Sequence, residues 1–190
     1  MKNTQFLLLS LIVMIISGCA DIQNKTINLS GEDENWKQQL SSQIKQLGHR
    51  NWIVVADAAY PLQSNPGITT ILSTDDHLKT IGIVNDLIQQ QLHIKPILYL
   101  DKEVDFVSEE DAPGIGEFKT EIDKLLGANA NKVIHEDIIK MLDEASKLFN
   151  VVIIKTDFAI PYTSVFFQLD CKYWSAKAEQ ELRNKISKNE

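Results

Sequence analysis

Apolar side chains recur at positions 36, 40, 44 and 47, a spacing of three and four that predicts an amphipathic helix from Trp36 to Leu47. Gly48 follows where a helix usually stops in the left-handed conformation. "WIVVADA" is then a strand, and its unbroken apolar run predicts burial on both faces. Pro61 to Thr70, rich in Pro, Ser, Asn and Gly, reads as a loop. "HLKTIGIVNDLIQQQL" reads as a helix, or as a short strand and a helix, and "KPILYLD" as a second strand. A loop from Val107 leads into an amphipathic helix with Phe118, Ile122 and Leu125 on one side. Asn131 to Ile134 fits a short strand. His135 opens a helix carrying Ile138, Leu142, Ala145 and Phe149 on its apolar face, and "NVVIIKTD" and "YTSVFFQLD" are the last strands. Strands alternating with helices predict an α/β layered domain.

The N-terminus follows a different pattern. Phe6 to Ile16 is continuously apolar after Lys2, the length of a signal-peptide core and too short to span a bilayer, which takes about 20 residues. "ISGC", ending at Cys19, resembles a bacterial lipobox, in which the cysteine is lipidated and becomes the mature terminus. Residues 1–18 are therefore expected to be a lipoprotein signal peptide and 19–34 a flexible tether. The folded domain is expected over 35–174, with a charged helical tail at 175–190. This implies lipid anchoring in the bacterial envelope, facing the periplasm, with Ala20 and Asp21 leaning towards the outer membrane.

The formal charge of −7 becomes −8 once Lys2 is removed, and no basic stripe is present, which argues against nucleic acid. With Cys19 lipidated, Cys171 has no partner for an internal disulfide. No CxxC, HExxH or Gly-rich phosphate loop occurs, and no metal or cofactor is expected. "TDDH" at 74–77 reads as a polar helix start, and His77 and His93 as solvated.

Three motifs in order carry a resemblance. Leu47, Gly48 and His49 precede the first strand, which ends on Asp57, Ala58 and Pro61; "IHEDI" places His135; and Pro161, Tyr162, Thr163 and Ser164 lead into the last strand. In this the chain resembles the ribose pyranase and fucose mutarotase family over roughly residues 36–170. The resemblance implies a single α/β/α domain with a central mixed sheet, a monosaccharide substrate, and a homo-oligomer, commonly a decameric ring with sites near subunit contacts. The chain departs from the family at Ser164, where an asparagine is usual, and in a longer interval from His135 to Tyr162; on the direct spacing Lys140 competes with His135.

The implied reaction opens a sugar hemiacetal and closes it again as another anomer or ring form. It needs a proton delivered to the ring oxygen and one taken from the anomeric hydroxyl. A histidine suits this shuttle because it titrates near neutrality. His49 is the candidate acid/base. Asp57, at the C-terminal end of its strand, is expected to accept sugar hydroxyls or to orient an imidazole. His135, Tyr162 and Ser164 complete the candidate sugar-binding set. A strand of seven or eight residues spans about 25 Å, so His49 and Asp57 meet only if His49 folds back or a neighbouring chain completes the site. Two other readings are a sugar-binding lipoprotein without catalysis and an envelope scaffold.

Overall fold

The computed structural model describes residues 29–127 and 129–188, so the apolar leader, Cys19 and most of the expected tether lie outside the described residues. The elements run α1 (Leu29–Gln43), β1 (Trp52–Ala56), β2 (Ile68–Leu72), α2 (His77–Gln89), β3 (Ile94–Asp101), a 3-10 turn (Lys102–Phe106), α3 (Ile115–Leu126), β4 (Asn131–Val133), α4 (His135–Ser146), β5 (Val151–Lys155), β6 (Val165–Cys171) and α5 (Ala176–Ile186). The first helix starts at Leu29, inside the stretch expected to be a flexible tether.

Six strands form one sheet in the order β2-β5-β1-β6-β3-β4. β1 and β2 run parallel to β5, and β4 runs parallel to β3. β6 is antiparallel to β1 and β3 on either side of it, which makes the sheet mixed. β1 is buried along its whole length, as its apolar run requires. One face packs against α1, α2 and α3 through Trp36, Leu40, Ile44, Ile81, Val84, Ile88, Phe118 and Ile122. The other packs against α4, where Ile138 and Leu142 meet Trp52, Val54, Ile153 and Phe166. The domain is thus an α/β/α sandwich. Leu125, expected on the buried side of α3, is exposed; Ile115 takes its place in the core.

The loop expected over 61–70 gives way to β2 at Ile68. β2 is an edge strand with only Ile71 buried, so it lacks the apolar run that marks a central strand. Gly67 leads into it against the end of α4, where a Cβ would come within 2.3 Å of the Ser146 carbonyl oxygen. No side chain fits there. Among the described residues, no helix is long and apolar enough to cross a membrane.

Candidate functional site

β1, β5 and β3 finish at the end of the sheet where β6 begins, and each contributes a polar residue there: Asp57, Thr156 and Asp101 beside Thr163 and Ser164. Ser164 Oγ donates to Asp57 Oδ2 at 3.0 Å and accepts the Asp57 backbone N–H at 3.3 Å. Asp57 Oδ1 accepts the Ala59 N–H at 2.9 Å, which closes the turn towards Pro61. Asp57 therefore caps its own loop and is locked by β6. Ser164 is only 1% exposed, and its hydroxyl is committed to Asp57. Its place is behind the carboxylate.

His135 joins this cluster through a second carboxylate. Its Nδ1 lies 3.1 Å from Asp101 Oδ1, and its backbone N–H is donated to both carboxylate oxygens of Glu103 at 3.1 Å. A glutamate from the 3-10 turn after β3 thus caps α4, whose first turn carries Glu136 and Asp137. Tyr162 sets its ring edge-on to the imidazole, with centroids 5.6 Å apart and planes at 81°. Tyr162 has φ of 59°, an unusual conformation for a bulky residue, and is 37% exposed. Lys140 pairs instead with Asp137 and borders the groove at the opposite end of the sheet, so His135 is the residue that meets Asp101 and Tyr162.

The neighbourhood is anionic. Burial lifts the Asp101 carboxyl to about 6, although His135 draws it down, while Glu103 and Asp57 push it further up. Burial, with Asp143, Asp101 and Asp57, also drives the Tyr60 phenol upwards. The nearby ammonium of Lys155 is spent on the Tyr60 carbonyl at 2.6 Å. This end of the sheet offers acceptors to hydroxyl donors and disfavours phosphates and carboxylates.

His77 is the residue that sequence reasoning misplaced. It is 2% exposed, not solvated. Its Nε2 lies 2.9 Å from the Thr163 carbonyl and its Nδ1 2.8 Å from Thr156 Oγ1, with the ring stacked on Phe158 at 5.0 Å. Burial pushes its pKa down, against the pull of the Thr163 carbonyl and of Asp57 and Asp76. A carbonyl only accepts, so the neutral ring carries its proton on Nε2, and the single Thr156 hydroxyl proton is shared between Nδ1 and the Ala56 carbonyl at 3.1 Å. His77 thereby ties β5 to the segment that sets Tyr162 and Ser164. Asp76 caps α2 by accepting the Lys79 N–H, the expected polar helix start, and that role masked the histidine beside it. Asp101 was legible only as a strand end, although it closes its strand as Asp57 closes β1.

His49 lies at the other end of β1 and does not fold back. Its Nδ1 is 3.1 Å from Asp170 Oδ1, at the C-terminal end of β6, and its side chain is 57% exposed. Lys95 also reaches Asp170, at 3.4 Å. Burial works against the Asp170 anion, but the Cys171 N–H, Lys95 and His49 outweigh it and hold its carboxyl below the usual range. His49 borders an open groove of about 640 Å³ with Arg50, Trp52, Met141, Phe149 and Gln168. His93, half-buried, meets the Leu47 carbonyl at 2.9 Å. Among the described residues, no group of His, Cys, Asp and Glu is arranged to hold a metal ion.

Comparison with known proteins gives the following. The ribose complex of RbsD from Bacillus subtilis is 17% identical, with a TM-score of 0.49 over 70% of this chain and 91% of that one. FucU from Bifidobacterium longum is 15% identical, with a TM-score of 0.44 over 70% and 94%. The fucose mutarotase of Streptococcus pneumoniae, in complex with L-fucose, is 21% identical, with a TM-score of 0.41 over 73% and 95%. No curated protein sequence matches this chain. Residues 31–171 match the sequence profile of the RbsD / FucU transport protein family, and the protein belongs to that family.

Proposed function

We propose that the protein is a monosaccharide mutarotase or pyranase that interconverts anomers or ring forms of a free ribose- or fucose-like sugar. The observation that carries this reading is the convergence of Asp57, His135 and Tyr162, remote in sequence, on one acidic sheet end within a chain of this family. A neutral polyol suits such a site: carboxylates accept its hydroxyls, and a tyrosine ring offers a face to its C–H surface. Asp57 and His135 bind hydroxyls, Tyr162 packs on the ring, and Ser164 holds Asp57.

In this reading His49 carries the proton to and from the ring oxygen. Held by Asp170 at the far end of β1, it serves the Asp57 cluster of a neighbouring copy. The functional unit is then a closed homo-oligomer, a ring such as a decamer, in which each contact pairs one copy's His49 groove with the other's carboxylate end. Opening the hemiacetal needs one proton in and one proton out, for which imidazole and carboxylate groups suffice without a cofactor. Lipidation at Cys19 would hold the assembly to the envelope, facing the periplasm.

A sugar-binding protein that has lost catalysis is the second reading, favoured by Ser164 standing where relatives carry asparagine. Saturation-transfer NMR on the mature chain, run across ribose, fucose and other free aldoses, separates the two. Protein-dependent exchange between ring-form or anomer signals, lost in His49→Ala, supports the enzyme. Line broadening without exchange points to the binding protein, and neither effect with any sugar removes both.

A further inference from the structure

Asp101 is one of few buried charged residues in the described structure, and its geometry is unlike that of Asp57. It is 1% exposed, while the His135 imidazole in front of it is 34% exposed. Asp101 Oδ1 faces His135 Nδ1 at 3.1 Å. Asp101 Oδ2 is buried with no hydrogen-bond partner. A buried carboxylate that leaves one oxygen unpaired is costly and calls for an explanation beyond packing. At 1% exposure it is out of a ligand's reach, with His135 bonded to its other oxygen. The backbone of His135 is fixed separately, by Glu103, so Asp101 is not needed to start α4.

We propose that Asp101 is a positioning residue that fixes the His135 tautomer, holding the proton on Nδ1 so that Nε2 faces the sugar as an acceptor. The inference rests on the sugar-handling reading above and deepens it: His135 becomes the group that takes a hydrogen bond from a sugar hydroxyl. Free imidazole side chains otherwise favour the Nε2–H form, which would present a donor instead. His77 shows the contrast within the same site, with its Nε2–H turned inward to the Thr163 carbonyl. One histidine braces the site and the other addresses the ligand. The charged and titratable groups around the pair are Glu103 from the 3-10 turn, Asp57 from the end of β1, and Tyr60 and Tyr162 from the loops that precede β2 and β6. A proton arriving at Nε2 makes an imidazolium, and the Asp101 anion behind it then stabilises that charge.

The test is ¹⁵N NMR of the histidine side chains in the wild-type protein and in Asp101→Asn, at a pH where His135 is neutral. The expected result is a wild-type His135 with Nδ1 protonated and Nε2 bare, shifting towards the Nε2–H form in the variant. Asp101→Glu, which keeps an acceptor, should restore part of the wild-type signature even if the asparagine variant folds poorly. Sugar exchange in Asp101→Asn should fall by about 10–100-fold, mainly in kcat, with the His77 signals unchanged. A wild-type His135 carrying its proton on Nε2, or a tautomer indifferent to residue 101, overturns the proposal. The tautomer is read without sugar, so it stands or falls apart from the exchange assay.

Discussion

Asp57 and Ser164, 107 residues apart in sequence, are joined by two hydrogen bonds: the Ser164 hydroxyl donates to the Asp57 carboxylate at 3.0 Å and accepts its backbone N–H at 3.3 Å. This pair ties the C-terminal end of β1 to the start of β6 and sets the direction of a carboxylate that is partly accessible. Ser164→Ala leaves the Asp57 N–H without that partner and the carboxylate held only by the Ala59 N–H. The expected cost is about 1 kcal/mol of stability, with roughly a tenfold loss in sugar exchange. Urea denaturation and exchange NMR on the same preparation check both.

His77 gives a pH signature. Its pKa is lowered from 6.5 by burial, so the unfolded chain takes up a proton that the folded chain resists. The stability contributed by its neutral form is complete above pH 6.5 and is lost as pH falls towards the lower folded value. His77→Phe keeps the ring but strands the Thr163 carbonyl. It should cost about 1–3 kcal/mol at neutral pH and remove this part of the acid-side slope. Denaturation midpoints on both sides of pH 6.5 read the difference.

Asp75 supplies the opposite titration. It accepts the Trp36 indole N–H at 3.1 Å and pairs with Lys37 at 2.8 Å and Lys79 at 2.5 Å, fastening α1 to the start of α2. Burial works against its charge, but the hydrogen bonds from Lys37, Lys79 and Trp36 outweigh it and bring the carboxyl from 3.8 to about 2. Its contribution is therefore present above pH 3.8 and disappears as pH falls to about 2. Asp75→Asn should be less stable than wild type by about 1–3 kcal/mol at neutral pH, and the gap should close on acidification. Acid titration followed by tryptophan fluorescence, to which Trp36 contributes, measures it.

The fold was legible where one physical signal dominated. β1 and the first four residues of β5 are apolar because both faces are covered, and α1 and α4 show the helical period because each packs one face on the sheet. β2 escaped because an edge strand with a single buried side chain leaves almost no pattern. In the site, Asp57, His135 and Tyr162 were reachable because they sit in local motifs beside strand and helix ends. His77 and Asp101 were not. Their roles depend on a carbonyl 86 residues away and a ring 34 residues away, and no local spacing encodes either partner. His49 was recognised as a candidate, and the geometric conflict with Asp57 was visible from strand length alone; the structure adds that Asp170 pins it outward.

That separation is also where the account is most exposed. If His49 of one copy and Asp57 of another serve the same sugar, two inactive variants must rescue each other. Exchange NMR on a mixture of His49→Ala and Asp57→Asn, unfolded and reassembled together in equal amounts, is the decisive measurement. Random assembly places an intact His49 groove against an intact Asp57 cluster at half of half the contacts, so about a quarter of wild-type exchange should return. A mixture as inactive as its two components would contradict the account.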